Sequence, residues 1–237
     1  ITETFDLKFF LFCSISTTVY FFAIWAGAEI FLKDKTMIGA FTQGAFRGSL
    51  AVLGVAFIQN IYGHAGLAPL MIVATVPLYN IFSVIVLTFE ANDSTGIDKK
   101  AKIRQAGINI CKNPIILSIL AGLIVGLLEI QFPTLVNKTV SNVAQMATPL
   151  ALITIGAGFE GRKALAKIAP TMAASMIKLV LQPLVFLPVA AWMGFSGEKM
   201  IAILIMLASP TTPSCYIMAK SMNNDEVLTA SVIVTTT

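Results

Sequence analysis

An apolar run extends from about Lys199 to Met222, and its centre reads Leu207-Ala-Ser-Pro-Thr-Thr-Pro-Ser-Cys-Tyr216. A helix of roughly 20 residues at about 1.5 Å each spans the ~30 Å hydrocarbon core of a bilayer. Yet Pro210 and Pro213 stand at the middle of this run, among Ser209, Thr211, Thr212 and Ser214. Each proline removes a backbone donor and clashes with the preceding turn, so the helix is expected to break there. Broken backbone at mid-membrane depth is tolerated only where protein or a water-filled cavity surrounds it. The break therefore predicts either a transporter-type binding site at the midplane or a plain proline kink supported by neighbouring helices.

The rest of the chain repeats the apolar theme. Spans are expected at about 7–32, 37–61, 66–90, 113–131, 137–159, 168–193 and 199–221, with an eighth beginning near 225. Of the 237 residues, 57% are hydrophobic and 12% charged, with a mean hydropathy of +0.84. Soluble domains carry about 25% charged residues, so the fold class is an all-α polytopic membrane protein in a lipid bilayer. The longest connection, 91–112, reads as a solvated linker leading into a short basic amphipathic stretch. Calling X the side reached after the first span, eleven Lys and Arg fall in X-side segments (Lys33, Lys35, Lys99, Lys100, Lys102, Arg104, Lys112, Arg162, Lys163, Lys167 and Lys220). Three fall on the other side, namely Lys8, Lys138 and Lys199. The positive-inside rule makes X cytoplasmic, with the basic loops 91–112 and 160–168 on that side of the plasma (inner) membrane. The net charge of +4 is thus a matter of orientation and implies no nucleic-acid partner. Trp25 and Trp192 fall near span ends, where an aromatic belt places them.

A repeat emerges from the breaks. The second span carries Thr42-Gln-Gly-Ala-Phe-Arg-Gly-Ser-Leu-Ala51, a glycine-flanked polar cluster with Gly48 near its middle. Gly48 and Pro210 are 162 residues apart, and the same offset carries the first span onto the sixth and the third onto the eighth. Equivalent spans run in opposite directions, which predicts an inverted-topology repeat. Residues 1–98 then form the remainder of a first repeat, with three helices and the second broken near Gly48. Residues 99–237 form the second repeat, with five helices, the fourth broken near Pro210 and the last truncated. Spans four and five lack partners, so the repeat predicts about fifty further residues upstream and about fifteen downstream, giving a five-plus-five bundle.

Two charges lie inside spans. Arg47 sits roughly 15–18 Å from the cytoplasmic end of its helix, near the midplane. There it costs at least ~2.5–3.5 kcal/mol on insertion scales, so it faces the protein interior, a cavity or a partner. It is either a ligand for an anionic substrate, or one half of a buried ion pair or a side chain snorkelling to the cytoplasmic face. A guanidinium matches a carboxylate bidentately. Half-helices beginning near Ser49 and Thr211 would add two partially positive N-terminal ends aimed at one point. The expected substrate site therefore comprises Arg47, Gly48, Ser49, Ser209, Pro210, Thr211, Thr212 and Ser214. Lys178 is the second intramembrane charge, a coupling or support residue or a snorkelling side chain. Glu29 and Glu129 lie near span ends, as interfacial residues. Pro77 with Asn80 and Pro149 suggest kinks or polar packing contacts, and Gly156 and Gly158 allow close helix approach. Cys13, Cys111 and Cys215 make no metal or redox pattern, and His64 is the single histidine. No catalytic, metal or cofactor site is expected.

Several stretches together resemble the auxin efflux carrier family in its bacterial, malonate-carrier-like branch. They are Gln43-Gly-Ala-Phe-Arg-Gly-Ser-Leu-Ala-Val-Leu-Gly54 with Tyr62-Gly63, Lys112-Asn-Pro-Ile-Ile116, Ala147-Thr-Pro-Leu-Ala-Leu-Ile-Thr-Ile-Gly156, and Ala208-Ser-Pro with Met218-Ala-Lys220. The resemblance implies ten spans in two inverted repeats, with two broken helices that cross at Gly48 and Pro210 of this chain. It also implies carriage of small organic anions by an elevator-like alternating-access motion. Ser49 stands where the family often has asparagine, and Ala56 where a proline is common.

Three functions fit such a chain. The first is a secondary carrier for mono- and dicarboxylates, coupled to a proton or sodium ion or to neither. The second is a non-transporting membrane receptor that binds a small ligand in the same pocket. The third, an intramembrane enzyme, lacks a catalytic constellation. A homodimer is compatible with the architecture.

Overall fold

The computed structural model describes residues 5–91, 99–128 and 130–237. Glu129 and residues 92–98 of the long connection lie outside the described residues. Helices account for nearly all of the rest, and no strand occurs among the described residues. In chain order they are α1 Leu7–Phe31, α2 Ile38–Phe46, α3 Val55–Tyr62, α4 Ala68–Phe89, α5 Lys99–Lys112, α6 Pro114–Leu127 and α7 Thr134–Ala157. There follow α8 Gly161–Ala166, α9 Ile168–Met176, α10 Gln182–Trp192, α11 Glu198–Ala208, α12 Ser214–Ser221 and α13 Glu226–Thr236.

Local chemistry sets the helix ends. Asp6 caps α1 by accepting from Phe9 N (2.9 Å), Asn113 caps α6 ahead of Pro114, and Asp225 caps α13 through Leu228 N (3.0 Å). Side-chain oxygens at these positions satisfy donors that the helix itself cannot. Gly63 closes α3 in the left-handed region (φ 75°), which a residue without Cβ adopts at no steric cost.

Among the described residues four helices are long and apolar enough to cross a membrane: Leu7–Phe31, Ala68–Phe89, Thr134–Ala157 and the combined Ile168–Trp192. The expected spans 37–61 and 199–221 are the two interrupted ones, α2 to α3 and α11 to α12. The expected span 113–131 is corrected to the shorter α6, which meets Ile103–Lys112 at a 53° bend. The basic amphipathic stretch at the end of the long connection is helical. Its helix α5 packs on α4, where Asn109 Nδ2 donates to Thr88 Oγ1 (3.1 Å) and Ala106 is buried.

The core is built around α2. All nine residues Ile38–Phe46 are buried, against α1, α4, α9, α12 and α13. Phe46 meets Tyr79 edge-on, Phe21 stacks on Phe82 at 4.5 Å, and the Tyr20 and Tyr79 hydroxyls bond at 2.9 Å. By contrast α6 buries no residue and α7 only Ala151 and Ile155, so both present apolar side chains outward. Gly158 lets α7 approach Tyr216 closely, whereas Gly156 has open space at its Cβ position.

Charged contacts gather at the two ends of the bundle. At one end Lys167 pairs with Asp225, Lys220 with Glu226 (3.0 Å) and Lys35 with Glu29 (3.6 Å). There the Thr36 hydroxyl and backbone amide hold the Asp34 carboxyl below its usual pKa, with Lys167 adding to the effect. At the other end Lys199 pairs with Asp6 (2.5 Å), Lys8 donates to Met193 O, and Glu198 accepts from Leu67 N (3.0 Å). Hydrogen bonding and pairing with Lys199 hold the Asp6 carboxyl below its usual value. Asp6 and Asp34 flank α1, so these two groups of contacts gather at its opposite ends.

Candidate functional site

The two interruptions touch each other. Between α2 and α3 the chain leaves the helix at Arg47 (φ −91°, ψ 128°), and it resumes as a wide π turn over Leu50–Gly54. Between α11 and α12 it runs extended from Ser209, and the second half begins at Ser214 rather than near Thr211. Ser49 N donates to Pro210 O (2.9 Å), so one broken strand of backbone satisfies part of the other. Thr211 Oγ1 donates to Gly44 O (2.8 Å), and Thr211 N to Thr236 Oγ1 (3.1 Å). Gly48 is needed for this approach, because a Cβ there would collide with Ser209 Oγ and stand 3.2 Å from Lys178 Nζ.

Arg47 is 5% exposed. Its Nη2 donates to Asn80 Oδ1 (2.8 Å), and its Nη1 to Met218 Sδ (2.8 Å) and at longer range to Ser83 Oγ (3.4 Å). All three partners are neutral, and no ion pair to Arg47 occurs among the described residues. A guanidinium offers five donors and seeks oxygen acceptors, so a thioether is a poor partner. The neighbourhood is also short of partners. Thr42 Oγ1, Gln43 Oε1 and Ser209 Oγ are buried with no hydrogen-bond partner in the structure. Buried polar atoms are nearly always bonded, so unpartnered oxygens on the same two broken segments as Arg47 and Gly48 are unusual.

Lys178 is fully buried in a second π turn, Ile177–Leu181, between α9 and α10. Its Nζ lies among Gln182 Oε1 (3.4 Å), Phe46 O (3.5 Å) and Met206 O (3.5 Å). The side chain reaches inward to the crossing and does not snorkel.

Of the expected site residues, Arg47, Gly48, Ser49, Ser209, Pro210 and Thr211 come together at the crossing, with Lys178 beside them. Thr212 and Ser214 are half-buried and hydrogen-bond each other (3.3 Å); no hydrogen bond links them to Arg47 or Lys178 among the described residues. The structure adds Asn80, Ser83 and Met218 around Arg47, and Gln182 around Lys178. Asn80 carried a sequence signal, an amide inside an apolar span, and Gln182 carried the same one.

Interrupted helices meeting inside an apolar helical bundle, with a buried arginine at the contact, are consistent with a membrane transporter. The family profile described as Membrane transport protein matches residues 3–237, so the chain belongs to that family, the family of the auxin efflux carriers. It is similar to the "Putative malonate transporter" of Rhizobium meliloti (strain 1021), at 24% identity over 235 residues, covering 96% of this chain and 72% of that protein. It is also similar to "Uncharacterized transporter YfdV" of Escherichia coli (strain K12), at 26% identity over 208 residues, covering 86% of this chain and 65% of that protein.

Proposed function

We propose that this transporter is a secondary carrier of small organic anions, mono- or dicarboxylates, which it moves across the inner membrane by alternating access. The substrate is held where the two broken helices cross, with Arg47 as its principal counter-charge. The observation that carries this reading is a guanidinium buried among neutral partners. Burying it costs several kcal/mol unless an anion compensates, and a carboxylate does so with two parallel hydrogen bonds. The Ser209, Ser49 and Thr42 hydroxyls offer further donors for the substrate's remaining oxygens. The name of the Rhizobium meliloti relative, with its reference to malonate, agrees with this class.

On this reading residues 1–98 and 99–237 belong to two inverted repeats, and the end bearing Lys35, Lys167 and Lys220 faces the cytoplasm. The two breaks then occupy equivalent positions, and rocking or sliding of one element against the other exposes the crossing to each side in turn.

The test is uptake by the whole protein reconstituted in proteoliposomes, with labelled malonate and malate as substrates. Saturable uptake of at least one, competed by the other but not by neutral malonamide, is expected. Carboxylate binding without any uptake would replace the carrier with a receptor.

A further inference from the structure

Lys178 has a different setting from Arg47, and it stands at the other electrical pole of the crossing. Phe46 is the last residue of α2 and Met206 lies in the last turn of α11, so Lys178 Nζ meets the carbonyl ends of both first half-helices. Gln182 completes the arrangement. It donates to Ala45 O (2.6 Å), also in the last turn of α2, and turns its own oxygen toward the lysine. A helix C-terminus carries about −0.5 of an elementary charge, so two of them balance roughly one ammonium. The π turn supports the placement. Gln182 N bonds back five residues to Ile177 O, and Pro183 follows with no donor to give. The extra residue in that turn swings Lys178 into the bundle. Three neutral oxygens face the ammonium at 3.4–3.5 Å, the long end of hydrogen-bond range, and no ion pair to Lys178 occurs among the described residues.

We propose that Lys178 is a tethered cation that neutralises the two half-helix C-termini, so that the carrier needs no sodium ion at its crossing. This rests on the carrier reading above. In other words, the positive charge that a co-transported metal cation would bring is covalently part of the chain. The N-terminal ends of the second halves, with Arg47, are then left to the anion. Truncating Lys178 opens a pocket walled by Phe46 O, Met206 O and Gln182 Oε1, sized for a small cation.

The experiment compares malonate uptake by wild type, Lys178→Ala and Lys178→Gln in buffers whose cation is choline, sodium or methylammonium. Wild-type rates are expected to agree within about twofold across the three. Lys178→Ala is expected to fall at least tenfold in choline and to recover several-fold in sodium or methylammonium. Lys178→Gln, which fills the pocket without charge, is expected to stay inactive in all three. In a parallel arm, methylammonium should raise the melting temperature of detergent-purified Lys178→Ala and leave the wild type unmoved. Sodium-dependent uptake by the wild type overturns the proposal, as does wild-type activity of Lys178→Gln in choline. Should Lys178→Ala fail to fold, the wild-type and Lys178→Gln arms still decide. A wild type that carries no carboxylate defeats the carrier reading instead, and the melting arm then decides on the cation pocket alone.

Discussion

Arg47→Ala is expected to reduce malonate uptake about 10- to 100-fold, the equivalent of the ~1.5–3 kcal/mol that hydrogen bonds to charged groups contribute. The loss should fall mainly on KM if Arg47 contacts the anion equally throughout the cycle. It should fall on the maximal rate if the contact strengthens as the carrier changes face. Arg47→Lys keeps the charge but loses the planar fork, so partial recovery is expected. Protein stability should move in the opposite direction or very little. The guanidinium is buried with one good oxygen acceptor, Asn80 Oδ1, so its removal relieves desolvation as well as losing bonds. A detergent melting curve taken beside the uptake assay separates the two effects. Unchanged uptake in Arg47→Ala would make the residue a structural element and remove the main support for an anion site.

The second large effect is expected at Gly48. A single methyl there meets Ser209 Oγ at a distance no real pair adopts, while the other near neighbours are the far end of Lys178. Overpacking of this kind costs about 1–3 kcal/mol. Here it also pries apart the Ser49 N to Pro210 O bond that joins the two breaks. Gly48→Ala should therefore abolish most uptake. Because one hydroxyl oxygen causes the clash, Ser209→Ala in the same chain should bring uptake back to the level of Ser209→Ala alone. Such non-additivity is what contact between two residues produces. Additive losses would show that the breaks do not meet in the functioning protein.

The positions of both breaks were legible in the sequence because their causes are local. Proline lacks a donor wherever it sits, and a polar, glycine-flanked cluster in an apolar run resists the helix on its own account. The structure accordingly leaves the helix at Arg47–Ser49 and at Ser209–Pro213. Partners were not legible, because they depend on packing. Asn80 and Met218 are separated from Arg47 by 33 and 171 residues in the chain, and no periodicity brings them together. The partner of Gln182 was hidden for the same reason: its bond to Ala45 O spans 137 residues. Among the hydroxyls at the second break, residue type alone does not say which face the crossing. Ser209 and Thr211 are buried there, whereas Thr212 and Ser214 pair with each other. The basic amphipathic stretch is α5, and its amphipathic pattern does not say which helix its apolar face packs on; that helix is α4.

The most direct measurement is the reactivity of a Ser209→Cys thiol in the whole protein, after its native cysteines, Cys13, Cys111 and Cys215 among them, are replaced by serine. A small membrane-impermeant thiol reagent is added to one side of the membrane at a time, with and without malonate. The expected result is modification from either side, slowed several-fold by malonate and not by malonamide. A thiol that reacts from neither side, or at a rate malonate leaves unchanged, would contradict a substrate site at the crossing of the two broken helices.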